Sequence, residues 1–199
     1  MRLFSLHGID GVSVRNIVNE AGAKNGASLH YYFRTKDELV RELVIDAAKR
    51  SDRARNAQLD ALEAVGGPYG VADIVRLIIE VETIGTGDPE QNKDLPIGFG
   101  HMRFVVAMLF NHRKMFLDTI GSRWNSGYMR CIDHLKRMLA DLPPDVLNQR
   151  LMFMYLFLNA SMAAREAAFE SDPSGGSLWG KPNAIDNLIE TIASGLEVR

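Results

Sequence analysis

The chain has 199 residues, 46% of them hydrophobic and 24% charged, which supplies ample material for a buried core and argues against a disordered polypeptide. Its formal charge is -2, and its one cysteine, Cys131, excludes an internal disulfide framework and fits a reducing cytoplasm. No apolar run has the length that spans a bilayer and residues 1–6 hold no secretory leader, so the expectation is a cytoplasmic protein without membrane contact.

Ser13 is placed to cap a helix whose apolar residues Val14, Ile17, Val18 and Ala21 recur at helical spacing. Gly22 supplies the positive φ that lets such a helix stop. A second short helix is predicted to start near residue 25 or 26. It carries Leu29 and Phe33 inward and leaves Lys24, Asn25, Ser28, His30, Tyr31 and Tyr32 to face a partner. Thr35 and Glu38 then form a capping-box pair for a third helix that buries Leu39, Leu43 and Ala47. Two short helices around a tight turn, followed by a longer one, make a shape that reads a DNA groove. The charge supports that placement: residues 1–55 hold ten Lys/Arg against seven Asp/Glu, whereas residues 56–199 hold 13 against 18.

No strand alternation or internal repeat follows, so the fold class is all-α. The third helix is predicted to reach about residue 65, where Gly66, Gly67 and Pro68 stop it, with an irregularity across the polar residues 51–56. Further helices are predicted over residues 71–84, 99–111, 114–120 and 122–142, the second of these apolar nearly all round and therefore buried. Pro143, Pro144 and Asp145 open a long helix to about residue 171, with Leu147, Leu151, Met154, Leu158, Met162 and Arg165 along one side and small residues from Ala160 to Ala168 beside them. Residues 172–183 read as a mobile loop. A last helix over 184–198 carries Ile185, Leu188, Ile189, Ile192 and Leu196 on one face. Two late apolar stripes suit either a monomer core or a twofold four-helix bundle.

Leu3-Phe4 with Gly8, Val12-Ser13-Val14, Ala21-Gly22, Leu29-His30-Tyr31-Tyr32-Phe33 and Thr35-Lys36-Asp37-Glu38-Leu39 together resemble the tetracycline-repressor (TetR) family of bacterial regulators. The resemblance covers about the first quarter of the chain. It departs from the family in a first helix cut short before Gly8 and in a turn, residues 23–28, one residue longer than the commonest pattern. It implies a helix-turn-helix DNA-binding domain over residues 1–48 and a helical effector-binding and dimerisation domain over residues 49–199. It further implies a homodimer formed through the last two long helices, with Leu158, Met162, Ile185, Leu188, Ile189 and Ile192 at the interface. The expected function is a double-stranded-DNA-binding transcriptional regulator, a repressor released by a small apolar or aromatic effector.

The candidate DNA contacts are Ser13, Lys24, Asn25, Ser28, His30, Tyr31, Tyr32, Thr35 and Lys36. Ser13 and Thr35 stand at helix starts, where free amides and the dipole favour phosphate. Lys36 opposes the dipole in a first turn, a misplacement that points to a phosphate partner. Tyr31 faces outward because Leu29 and Phe33 fill the inward positions. The methionine- and phenylalanine-rich C-terminal helices suit an adaptable apolar pocket, with His101, Phe104, Met108, Trp124, Tyr128 and Phe157 as its candidate lining and Arg103 and His134 as further polar handles. The same residues also suit a plain core.

Cys131 and His134 share a helix face but have no second pair at metal-ligand spacing, so no metal and no cofactor is expected. The chain has no G-x-S-x-G, no phosphate-cradling glycine loop and no HExxH, so no enzyme is expected. The alternative function is a helical small-molecule carrier or enzyme with a vestigial helix-turn-helix, which salt-sensitive duplex binding would exclude. A helical adaptor would instead show a heteromeric partner.

Overall fold

The computed structural model describes residues 1–22, 31–83, 100–121 and 123–198. Among the described residues the regular structure is entirely helical: α1 (Arg2–Gly11), α2 (Val14–Glu20), α3 (Lys36–Ala64), α4 (Val71–Thr83), α5 (His101–Asn111), α6 (Arg113–Ile120), α7 (Ser126–Met138), α8 (Pro144–Ser171), α9 (Gly176–Trp179) and α10 (Ala184–Glu197). Tyr31 and Tyr32 are also helical.

Local sequence explains several of the ends. Ser13 accepts from the Asn16 backbone at 3.2 Å while the Asn16 side chain accepts from the Ser13 backbone at 2.9 Å, a reciprocal cap that opens α2. Thr35 accepts from the Glu38 backbone at 3.1 Å, whereas the Glu38 carboxylate reaches past Thr35 to the Arg34 amide at 2.8 Å. The cap therefore uses the expected pair with its return bond shifted by one residue. Gly22, at φ +63, takes the left-handed conformation that ends α2, and Gly8, at φ +69 and ψ 165, breaks helical geometry inside α1.

Three elements differ from expectation. Residues 51–56 continue α3 without interruption, because their polar side chains have partners across the bundle: Asp52 accepts from the Gly127 amide at 2.7 Å, and Asn56 donates to Ser126 Oγ at 2.9 Å. Helix α7 occupies Ser126–Met138, short of the expected 122–142 at both ends, and residue 122 lies outside the described residues. The stretch expected to be a mobile loop contains α9, docked on α8 and α10.

Two apolar clusters hold the molecule. The larger joins α4, α7, α8 and α10 around Ile74, Ile78, Leu135, Met162 and Ile189, each almost wholly buried. Burying a side chain of this size contributes roughly 1.5–3 kcal/mol. The smaller cluster joins Phe4, Ile9, Val12, Val40 and Val44 of the N-terminal head to Phe104 and Met108 of α5 and Phe116 of α6. The head thus shares its core with the helices behind it, and α3 passes residue 48 as one continuous rod.

Candidate DNA-reading head and ligand cavity

In the head, Ser13 and Thr35 are exposed at their helix starts. Tyr31 is 83% exposed and Tyr32 75%, with their rings edge to face at 5.0 Å, so two large aromatic side chains stand on the surface with no core role. Lys24, Asn25, Ser28 and His30 lie outside the described residues.

Lys36 is placed differently from the expected free phosphate contact. Its ammonium donates to the Ile9 carbonyl at 2.9 Å and to the Val12 carbonyl at 3.1 Å, at the C-terminal end of α1. Carbonyls at a helix end lack intrahelical partners and attract a cation. That need accounts for a lysine in the first turn of α3.

The head is tied to the rest by specific contacts. Phe4 packs on Phe104 with ring centroids 6.1 Å apart, Arg41 donates to Thr119 at 3.1 Å, and Arg2 lies 3.5 Å from Glu170 of α8. Gly100, at φ +84, lets the start of α5 press against α1: a Cβ there would lie 2.5 Å from Ser5 Oγ. Glu166 of α8 accepts from the Met102 and Arg103 amides at 2.7 and 3.0 Å, closing the first turn of α5.

Behind the head lies a cavity of about 480 Å³. Its apolar lining comes from Val44 and Ala47 of α3, Phe104 and Leu109 of α5, Phe116 of α6, and Leu151 and Met154 of α8, and Trp124 and Tyr128 also face it. Of the expected lining, His101, Phe104, Trp124 and Tyr128 are brought together there. Met108 instead sits wholly buried in the head cluster, and Phe157 is turned outward on α8, 46% exposed. Arg103 is paired with Glu170, and His134 is 2.8 Å from Glu63 on the far side of α7, so neither reaches the cavity.

Beside the expected His101, the cavity wall carries a polar pair, Arg55 and Glu82, that no local pattern marks. Arg55 of α3 and Glu82 of α4 form a short ion pair, and Glu82 accepts a second bond from His101 at 3.1 Å. Burial opposes the ionisation of Glu82, but Arg55 beside it and the bond from His101 outweigh that and hold its carboxyl below the ordinary carboxylate value. The Arg55 guanidinium also lies over the Tyr128 ring at 5.7 Å. The available signal was Arg55 within an otherwise helical polar cluster, but only a partner 27 residues away turned that cluster inward.

The six expected interface residues face inward in the monomer. Leu158, Met162, Leu188, Ile189 and Ile192 are buried in the large cluster and Ile185 packs against it, because α10 lies on α4 and α8 lies on α5 and α10. The face of α8 left open carries Met152, Phe153, Leu156, Phe157, Ala160 and Ala164 instead. Cys131 is wholly buried, and burial pushes its thiol up to about 11. Among the described residues no three metal-binding side chains gather, and no helix is long and apolar enough to cross a membrane.

The chain matches no curated protein. Residues 1–43 match the family described as bacterial regulatory proteins, tetR family. An N-terminal helix-turn-helix segment of the tetR type is therefore present in this chain, and the likeness is to regulators of transcription and not to enzymes.

Proposed function

We propose that the protein is a homodimeric transcriptional regulator that binds double-stranded operator DNA and is released, as a repressor, by a small apolar or aromatic effector held in the cavity. One observation carries this reading: Val44, Phe104 and Phe116 belong both to the core that seats the head and to the cavity wall. A ligand in the cavity would touch the same side chains that fix the angle of the head. It would favour whichever head position leaves more room, and DNA would favour the position that fits its groove. The coupling is reciprocal, so operator DNA should weaken effector binding by the factor by which effector weakens DNA binding.

Residues 1–48 would form the reading head, with Ser13 and Thr35 at phosphates, Tyr31 and Tyr32 at the groove, and Lys24, Asn25, Ser28 and His30 at base edges. A single head reads only a few base pairs. Twofold symmetry would place two heads on half-sites about 34–36 Å apart or a multiple of it. The open face of α8 is the surface proposed for self-association, since Phe153 and Phe157 supply anchors while Ala160 and Ala164 admit a partner backbone closely. Selection of bound sequences from random duplexes, followed by titration at several salt concentrations, tests the function. A steep loss of affinity with salt and a palindromic selected site are expected. Binding of no duplex at any salt concentration would favour the carrier reading.

A further inference from the structure

Asn159 brings an amide into the α8 side of the cavity wall. It is 5% exposed and is flanked along the helix by the buried Leu158 and Met162. Its Nδ2 donates to the Tyr155 carbonyl at 2.7 Å. A carbonyl only accepts, so this bond fixes the orientation of the amide and leaves Oδ1 as an acceptor on the other side. Among the described residues no donor meets that oxygen, and it is not one of the enclosed atoms: water can reach it. Asn159 borders the cavity, so the cavity is the space from which it is reached.

Tyr155, one turn earlier on α8, and Tyr128 of α7 line the same cavity, with their rings edge to face at 6.1 Å. Burial pushes both phenols above their ordinary value, so each hydroxyl stays neutral and can donate as well as accept. Neither hydroxyl bonds to another group among the described residues, and water can reach both. The wall therefore carries an acceptor of fixed direction together with hydroxyls that take either role. A ligand that covers Asn159 Oδ1 without a donor strips its hydration and replaces nothing.

An ammonium is a poor donor here. Of the charged side chains on the lining, Glu82 is the carboxylate and Arg55 neutralises it, while Arg113 and Lys136 add two positive charges. A cation would meet like charge and no free anion. An aryl N–H donates, but its nitrogen accepts weakly and leaves the tyrosine hydroxyls unmet, whereas a hydroxyl does both.

Resting on the reading of this cavity as the effector site, we infer that the effector is a neutral hydroxylated aromatic compound. Its O–H donates to Asn159 Oδ1, its oxygen accepts from a tyrosine hydroxyl, and its ring system lies against Phe104, Phe116 and Trp124.

Equilibrium dialysis of the full chain against 2-naphthol, 2-methoxynaphthalene, 2-naphthylmethylamine and naphthalene tests the head group. The naphthol should bind on the order of tenfold more tightly than the methyl ether, which keeps the oxygen and loses the donor. Asn159→Leu should abolish that advantage while naphthalene still binds, and the Tyr155 carbonyl keeps its backbone partner in the helix. Tyr128→Phe combined with Tyr155→Phe keeps both rings, gives a second readout should the leucine variant not fold, and should cut the advantage about threefold. An advantage that survives Asn159→Leu, or an amine that binds as tightly as the naphthol, would overturn the inference. Equal binding of all four compounds would overturn it and leave the effector cavity standing. Binding of none would overturn both.

Discussion

The Lys36 ammonium donates to the Ile9 carbonyl at 2.9 Å, so the first turn of α3 closes the end of α1. A second bond to Val12 at 3.1 Å makes this lysine a clamp between the first and third helices of the head. Replacing it with methionine keeps the apolar stem and deletes the clamp. Lys36→Met should lower stability by about 1–3 kcal/mol in urea denaturation, because two buried carbonyls lose a charged donor. The salt dependence of DNA binding should hold its slope, whereas a lysine spent on phosphate would reduce it by about one.

Tyr31 and Tyr32 present the opposite case, since both are exposed and neither packs in the core. Tyr31→Ala and Tyr32→Ala should leave the thermal transition within about 0.5 kcal/mol of the parent. DNA affinity should fall about tenfold for each in a fluorescence anisotropy titration. An unchanged affinity for both would remove the tyrosines from the interface.

The buried pair Arg55–Glu82 should behave as a unit. Arg55→Met alone leaves a carboxylate in an apolar wall and should cost about 3–5 kcal/mol, while Arg55→Met combined with Glu82→Gln should recover most of that loss. The pH dependence has a definite sign. Glu82 ionises below the ordinary carboxylate value of 4.5, so its contribution is complete above that value and is lost as pH falls through its lower folded value. Acid titration of Glu82→Gln should show a shallower loss of stability in that window than the parent.

Gly127 marks a close approach between α7 and α3. A Cβ at this position would lie 2.8 Å from the Arg55 Cβ and 3.1 Å from the Asp52 carbonyl oxygen, while the Gly127 amide donates to the Asp52 carboxylate at 2.7 Å. Gly127→Ala should push the two helices apart and destabilise the chain by about 1–3 kcal/mol in thermal denaturation. A neutral result would mean that α7 is free to shift along α3.

Self-association separates the two faces of α8. Phe153→Glu should give a folded monomer in sedimentation with DNA binding weakened at least tenfold, because only one half-site can then be held. Leu158→Glu, five residues along but in the core, should instead prevent folding. A Phe153→Glu protein that still sediments as a dimer would move the interface elsewhere.

Local rules made much of this protein legible. Ser13, Gly22 and Thr35 act within a few residues of themselves, so the helix ends they set are directly legible, and local patterns mark helices over residues 71–84 and 184–198, each within a residue of the observed end of its described part, with the apolar face of the second. Lys36 could be seen as anomalous in a first turn, but not as the partner of Ile9, since that bond joins residues 27 positions apart. The polar residues 51–56 looked like a break for the same reason: their partners Glu82, Ser126 and Gly127 are distant in the chain.

Periodicity reports that a face is apolar and leaves open what covers it. The stripe through Leu158 and Met162 reads alike whether it meets helices of its own chain, α5 and α10 among them, or a second copy. Only packing assigned it to the monomer core and left Phe153 and Phe157 outside. The sequence by itself determined most of the helices, the capping residues Ser13 and Thr35, and the head of the tetR type, because those depend on neighbours within a turn or two. Tertiary structure alone decided which polar side chains meet at the cavity wall and which apolar face remains open, because burial and charge pairing depend on distances between helices that no local pattern encodes.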